Sequence, residues 1–413
     1  MKRIVAALLL LLLCACTVQL ADVAPAPESP PAGTSEIAPA APEPDPPPDE
    51  VPDPEPLPNE APEPAPVPEP APYPFTEGPA LSVDGAEAGA IALLEQAYYL
   101  PLEALTAHLP IHTEPTDDGG LALRLHGRCV WLSDTVSWED STGVLVTHSA
   151  PPVRWEGQWF VPQSVLQPGL GLTVLTDLQY PHVYVSDNRQ YDSVPAGVCV
   201  PTLMYHAVSP TPRGNDELFV DPDELETQLQ YLADHGYTTI TFEDLPRLDE
   251  IEKPVMLTFD DGYDDNYDYL FPLLQQYGMK ATIFVITGYV NSPYYLTEAE
   301  IKEMSDSGLV SIQSHTNAHP DLDTLDEADT RHELEISWLT LARITEKVPF
   351  VLCYPTGRQS ALTRQVAAER YTYGLLMNGG DYVTGSDPFL IPRHYVSRFT
   401  DLNTFAALIQ HAG

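Results

Sequence analysis

Basic side chains are scarce in this 413-residue chain: 19 Lys and Arg stand against 60 Asp and Glu, a formal charge of −41. Nucleic-acid binding draws on clustered Lys and Arg that displace counterions from phosphates, so DNA and RNA are excluded as partners. Anionic membrane surfaces are poor electrostatic partners for the same reason, which leaves only a covalent or hydrophobic route to a membrane. Long apolar runs are missing too. The unbroken run Ile4 to Leu13 has ten residues, too short to span a bilayer. Cysteine is sparse, five in all and without Cys-x-x-Cys spacing, so neither a disulfide framework nor a cysteine zinc site is expected.

Proline is what the chain has in excess, and it is concentrated. Residues 22–79 hold 22 of the 44 prolines, 13 acidic residues and no Lys or Arg. Too few apolar side chains occur there to bury a core, so the tract reads as a disordered, polyproline-type linker with a stretched reach of roughly 180 Å. Ahead of it, Lys2 and Arg3 followed by the apolar run read as a signal peptide over residues 1–21. Its end, Leu13-Cys14-Ala15-Cys16, resembles the bacterial lipoprotein box. That resemblance implies lipidation at Cys16 and an extracytoplasmic protein anchored to the bacterial cell membrane. Cys129, Cys199 and Cys353 would then remain, as small buried hydrophobes.

Residues 80–190 alternate short apolar runs with turns, and two segments look alike: Tyr98 to Leu105 around Pro101, and Trp159 to Leu166 around Pro162. Each reads as a strand leading through Pro into a short helix, in a small α+β domain with an internal duplication. The pattern resembles the copper amine oxidase N-terminal-like domain, with no copper site implied here.

From 198 to 413 apolar strands alternate with helical stretches, three of which end in Gly, and strict alternation implies a mostly parallel sheet with crossover helices. The expected fold class is therefore α/β, a barrel or closed layer with its chemistry at the C-terminal strand ends. Polar clusters sit there. Asp260 and Asp261 follow the apolar strand 254–257, and adjacent carboxylates call for a cation to relieve their repulsion. His315 and His319 follow a second strand, and two imidazoles four apart can face one point if the segment begins a helical turn. Two imidazoles and one carboxylate hold a divalent ion while leaving a position open.

In order, Thr258-Phe259-Asp260-Asp261-Gly262-Tyr263, Ser314-His315-Thr316-Asn317-Ala318-His319-Pro320 and Cys353-Tyr354-Pro355-Thr356-Gly357 closely resemble the first three motifs of the NodB-type polysaccharide deacetylases, carbohydrate esterase family 4. The resemblance implies a distorted (β/α) barrel and metal-dependent removal of acetyl groups from N-acetylglucosamine units of a cell-wall or extracellular polysaccharide. It puts the general base on Asp260, the metal ligands on Asp261, His315 and His319, and an oxyanion-binding backbone N–H on Thr356. Zinc is the expected ion, with cobalt or nickel as alternatives. Two departures stand out. The family's third-motif arginine is replaced by Cys353, leaving Arg393 to approach Asp260 instead. The usual late Leu-x-His acid is not evident, and Tyr205-His206-Ala207-Val208 resembles the branch acting on poly-N-acetylglucosamine, which favours His206 over His394 as general acid. A non-catalytic glycan-binding lipoprotein and an esterase on another acetylated glycan are the competing readings.

Overall fold

The computed structural model describes residues 74–140, 142–188 and 194–411. The expected signal peptide, the Cys16 anchor and the linker up to residue 73 lie outside the described residues. The linker's expected end at Pro79 is corrected: the first strand, Thr76–Val83, already begins inside it, and Phe75 is buried against Tyr99 and Phe160. Among the described residues no helix is long and apolar enough to cross a membrane.

The N-terminal lobe carries a seven-stranded mixed sheet and a five-stranded antiparallel meander running from His112 to Thr147. Towards one edge of the seven-stranded sheet Ala97–Pro101 pairs antiparallel with Gln158–Pro162, placing Leu100 opposite Val161. Both strands end in a proline that caps a helix, Leu102–His108 after Pro101 and Gln163–Val165 after Pro162, with nearly equal dihedrals (φ −60°, ψ 124° and φ −56°, ψ 131°). Proline suits this junction because its ring sets φ for the first turn and the missing N–H would have had no helical partner.

The strands of the C-terminal lobe that form its main sheet are numbered β1 (Thr202–Tyr205), β2 (Thr238–Ile240), β3 (Pro254–Phe259), β4 (Ala281–Val285), β5 (Val310–Ser314), β6 (Val351–Cys353), β7 (Tyr373–Leu375) and β8 (His394–Tyr395). All pairings are parallel, in the order β7-β6-β5-β4-β3-β1-β8, with β2 beside the first half of β3. The strands read as continuous apolar runs because both faces are covered: every residue of β3 and β4 is buried. The crossover helices Pro222–Asp234, Phe271–Tyr277, Glu298–Asp306 and Glu327–Thr345 fall where the sequence places them. Gly236, Gly278 and Gly308 follow the first three at φ 71°, 62° and 73°, a left-handed turn that costs glycine little.

The barrel is less regular than expected. The sheet curls into a half-barrel, and the gap between its margins is spanned by one segment, 391–395: Ile391 bridges to Leu375 of β7, while His394 and Tyr395 pair with Leu203 and Met204 of β1. Arg393, between these contacts, is fully buried. The apolar stretch from Val198 to Val208 is broken, with Cys199–Val200 pairing with Tyr382–Val383, apart from β1. Of the three cysteines expected to be buried only Cys353 is, the others being half-buried. The lobes meet through Leu175 and Tyr184, which share a cluster with Leu334 and Trp338, and through an ion pair of 2.7 Å from Arg343 to Asp177.

Candidate metal centre and active site

Asp260 and Asp261 leave the C-terminal end of β3, where the chain must turn. Asp261 adopts φ 75°, a left-handed conformation unfavourable for a residue with a Cβ, and two adjacent carboxylates thereby serve different partners. The Asp261 Oδ1 atom lies 3.5 Å from His315 Nε2 and 3.7 Å from His319 Nε2. These separations are too long for hydrogen bonds. They match the edges of a tetrahedron around an ion with bonds of about 2.1 Å, which measure about 3.4 Å. Asp261, His315 and His319 thus offer three ligand atoms within 4.8 Å of one another.

His315 is prepared for such a role by its other nitrogen. Its Nδ1 lies 2.8 Å from the Cys353 carbonyl oxygen, so Nδ1 carries the proton and Nε2 presents its lone pair to the site. The expected helical turn joining the histidines is not there. Instead Thr316 and His319 both take left-handed backbone, φ 65° and 58°, and the loop is held from within and below. The His319 N–H donates to Thr316 Oγ1 at 3.0 Å, and the Asn317 and Ala318 N–H groups both donate to Glu333 Oε2, at 3.1 and 2.8 Å.

Asp260 is 2% exposed and faces a different partner. Arg393 grips it with both prongs, Nη1 to Oδ1 and Nη2 to Oδ2, each at 2.7 Å. The guanidinium is saturated by Thr258 Oγ1 at 3.0 Å, Cys353 Sγ at 3.1 Å and the Leu376 carbonyl at 2.8 Å. Burial alone would raise the Asp260 carboxyl, but the charge and hydrogen bonds of Arg393 outweigh it and hold the group well below the usual carboxylate range. Asp260, His315 and Cys353 form a second cluster of potential donors, yet Arg393 already occupies the Asp260 oxygens and touches the thiol. The first cluster is therefore the one fitted to a cation.

The remaining sequence candidates separate cleanly. His206, 7% exposed at the end of β1, has an Nδ1 without a hydrogen-bond partner. Burial lowers its pKa, while the nearby Asp260 and Asp261 pull it up, which places the imidazole in the field of both carboxylates. His394 is turned to Asp381 at 2.7 Å. Arg358, the cation nearest in sequence to the third motif, lies at the surface with Asp321 and Asp323. Thr356 sits in the turn after β6 at φ 56°, tied by its hydroxyl to Asp321 at 2.7 Å.

A family model for polysaccharide deacetylases matches residues 247–373. The Bacillus subtilis protein YxkH, named as a polysaccharide deacetylase, is 33% identical over 217 residues, which cover 51% of this chain and 76% of the relative. The chain belongs to the polysaccharide deacetylase family. The poly-β-1,6-N-acetyl-D-glucosamine N-deacetylase of Staphylococcus epidermidis is 26% identical over 199 residues, 43% of this chain and 68% of its own length. A Bacillus anthracis crystal structure described as a polysaccharide deacetylase covers 72% of this chain and 98% of its own, at 24% identity and a TM-score of 0.50, which speaks to the fold.

Within this deacetylase, sequence reasoning missed Glu333, which has no spacing relation to the loop it braces, and the contact of the Cys353 thiol with Asp260 and Arg393. It also left the aromatics unplaced. Tyr263 stacks on Tyr295 with centroids 5.4 Å apart, and Tyr289 meets Tyr295 at 4.9 Å, an aromatic wall running on from Asp261.

Proposed function

We propose that the protein is a metal-dependent N-deacetylase of N-acetylglucosamine units in a cell-wall or extracellular polysaccharide. The observation that carries this reading is the pairing of Asp260 with Arg393 directly beside the Asp261, His315 and His319 set: a carboxylate kept ionised next to a cation site is the apparatus of a hydrolase. A divalent ion held by Asp261, His315 and His319, with zinc proposed, supplies Lewis acidity to the acetamide carbonyl.

The chain's own groups do the rest. Asp260 takes a proton from the attacking water as its oxygen bonds to the carbonyl carbon, and Arg393 fixes the carboxylate's orientation throughout. A backbone N–H in the turn containing Thr356 donates to the oxyanion that develops. When the carbon–nitrogen bond breaks, the protonated His206 imidazolium gives a proton to the departing amine, the proton taken up by Asp260 replaces it, and acetate and a free amino sugar remain. The stacked Tyr263, Tyr289 and Tyr295 offer flat apolar faces of the kind that sugar rings pack on. The poly-N-acetylglucosamine substrate named for the Staphylococcus epidermidis relative supports the choice of sugar.

Asp260→Asn is expected to lower acetate release from oligomeric N-acetylglucosamine by at least about 10²-fold, with fold and metal content unchanged. Turnover at the wild-type rate would remove Asp260 as base, and metal analysis of the active protein decides the ion. The apolar run and the Cys14-Ala15-Cys16 sequence support export and a lipid anchor at Cys16, and the duplicated strand-to-helix pattern supports a copper amine oxidase N-terminal-like lobe. Cys16→Ser should release the protein from the membrane fraction; a variant that stays bound would rule the anchor out.

A further inference from the structure

A cavity of about 340 Å³ lies where the N-terminal lobe meets the N-terminal ends of β4, β5 and β6. The strands rise about 3.3 Å per residue, so this end stands on the order of 15 Å from the Asp261, His315 and His319 set. Its lining mixes apolar side chains such as Val310, Val348 and Phe350 with polar ones, and the polar groups are unevenly satisfied. Asp187, 4% exposed, uses Oδ2 to meet His126 Nε2 at 2.6 Å, while its buried Oδ1 has no hydrogen-bond partner among the described residues. Glu243 accepts a 2.6 Å hydrogen bond from the Ser311 hydroxyl through Oε1, while its buried Oε2 likewise has no partner among the described residues.

The cavity's lysines direct their hydrogen bonds elsewhere, although the Lys347 charge bears on Glu243 and Asp84. Lys280 is committed to both oxygens of Asp244 at 2.8 Å, and Lys347 Nζ donates to the Ser305 carbonyl and hydroxyl at 2.8 and 3.2 Å. A buried carboxylate oxygen with no donor costs on the order of 1–3 kcal/mol, so the chamber is built to receive hydrogen-bond donors with positive charge. A metal ion is a poor fit. Among the described residues, three potential ligand atoms of acidic, histidine or cysteine side chains come together only in the two clusters at the opposite end of the strands. Hydroxyls from Ser186, Ser305 and Ser311, the Gln313 amide and the Asp84 carboxylate also line it, and the volume is at the small end of the range for organic ligands, about 300–1,000 Å³.

We infer that this chamber binds a hydroxylated primary amine of the amino-sugar class, its ammonium shared between Asp187 and Glu243 and its hydroxyls facing the serines. An N-acetylated sugar offers one neutral amide N–H at that nitrogen, where the ammonium offers three donors and a positive charge. The site therefore tells a deacetylated sugar from an acetylated one. Identifying that ligand as product rests on the function proposed above; the preference for an amine does not.

The experiment is a calorimetric titration of the full chain with glucosamine, N-acetylglucosamine and tetramethylammonium, the last bearing charge without N–H donors. Glucosamine is expected to bind at least tenfold more tightly than the other two. Glu243→Gln and Asp187→Asn, each tested separately so that one misfolded variant does not decide the matter, should each weaken glucosamine binding at least tenfold and leave acetate release intact. Equal binding of the three probes, or glucosamine binding unchanged in a folded variant, overturns the inference. Selective glucosamine binding by a protein that releases no acetate would keep this site and discard the deacetylase reading.

Discussion

At the C-terminal ends of the strands the buried carboxylate of Asp260 receives two hydrogen bonds from Arg393, whereas at the N-terminal ends Asp187 and Glu243 each bury an oxygen to which no described residue donates. The same half-barrel thus treats buried charge in two ways. Where the partner is built in, the carboxylate has a fixed charge and a fixed direction, which a base needs. Where it is left out, the fold carries a penalty that an arriving donor relieves, which a binding site needs.

The strongest way to break this comparison is to remove partners at each end. Arg393→Met leaves Asp260 buried and alone, and should destabilise the protein by about 3–5 kcal/mol in urea unfolding. Glu243→Gln takes away a charge with no direct ion pair and should shift stability by less than about 1 kcal/mol. Comparable losses for the two would mean that the ends do not differ.

A smaller effect separates two aspartates on the same loop. Asp265, 1% exposed, also faces an arginine, Arg213 at 3.0 Å, but burial raises its carboxyl to about 6 despite that partner and the Val208 N–H. Its folded value lies above the ordinary 3.8, so the folded chain binds this proton more tightly. Asp265 therefore weakens the fold above pH 6, and that cost is relieved as the pH falls from about 6 towards 4. The Asp260 group, held low, stays ionised in the folded chain throughout this window, and its stabilising contribution starts to fall only as the pH nears the ordinary 3.8 of the unfolded chain, with the opposite sign to Asp265. Asp265→Asn should flatten the change in urea midpoint between pH 4 and 6, and a wild-type-like slope would show the contrast to be false.

The smallest effect concerns backbone strain. Left-handed non-glycine residues occur near the metal set at Asp261, Thr316, His319 and Thr356, and one ends the helix Glu327–Thr345 at Glu346, φ 60°. Glu346→Gly should stabilise the protein by about 0.5–1 kcal/mol with acetate release unchanged, because strain there serves only to stop a helix. Thr356→Gly relieves similar strain but gives up the bond to Asp321, and should reduce turnover. If the two behave alike, strain near the metal set has no part in the chemistry.

The motifs and crossover helices were legible because each is local: a polar cluster after an apolar run, a glycine after a periodic one. Asp260, Asp261, His315 and His319 could be read that way. The turn between the histidines was not, since two left-handed residues in a row of polar ones leave no mark in composition. Arg393 was legible only as a vacancy, the cation missing at Cys353, because the segment that delivers it pairs through a few residues to β1 and β7 and shows no strand-length pattern. Pro101 and Pro162 were readable for their repetition. The chamber between the lobes was invisible, its lining gathered singly from Asp84 to Phe350.

Asp260 and Arg393 stand 133 residues apart in the chain. In a polypeptide made from its N-terminus, the nucleophile-activating group is thus laid down long before the residue that tames it. The two can meet only when 391–395 slots between the margins of the curled sheet, one of the most non-local events this lobe has to accomplish. Catalytic competence should consequently arrive abruptly and last, so that acetate production during refolding serves as a clock for completion of the whole lobe rather than for assembly of the metal ligands.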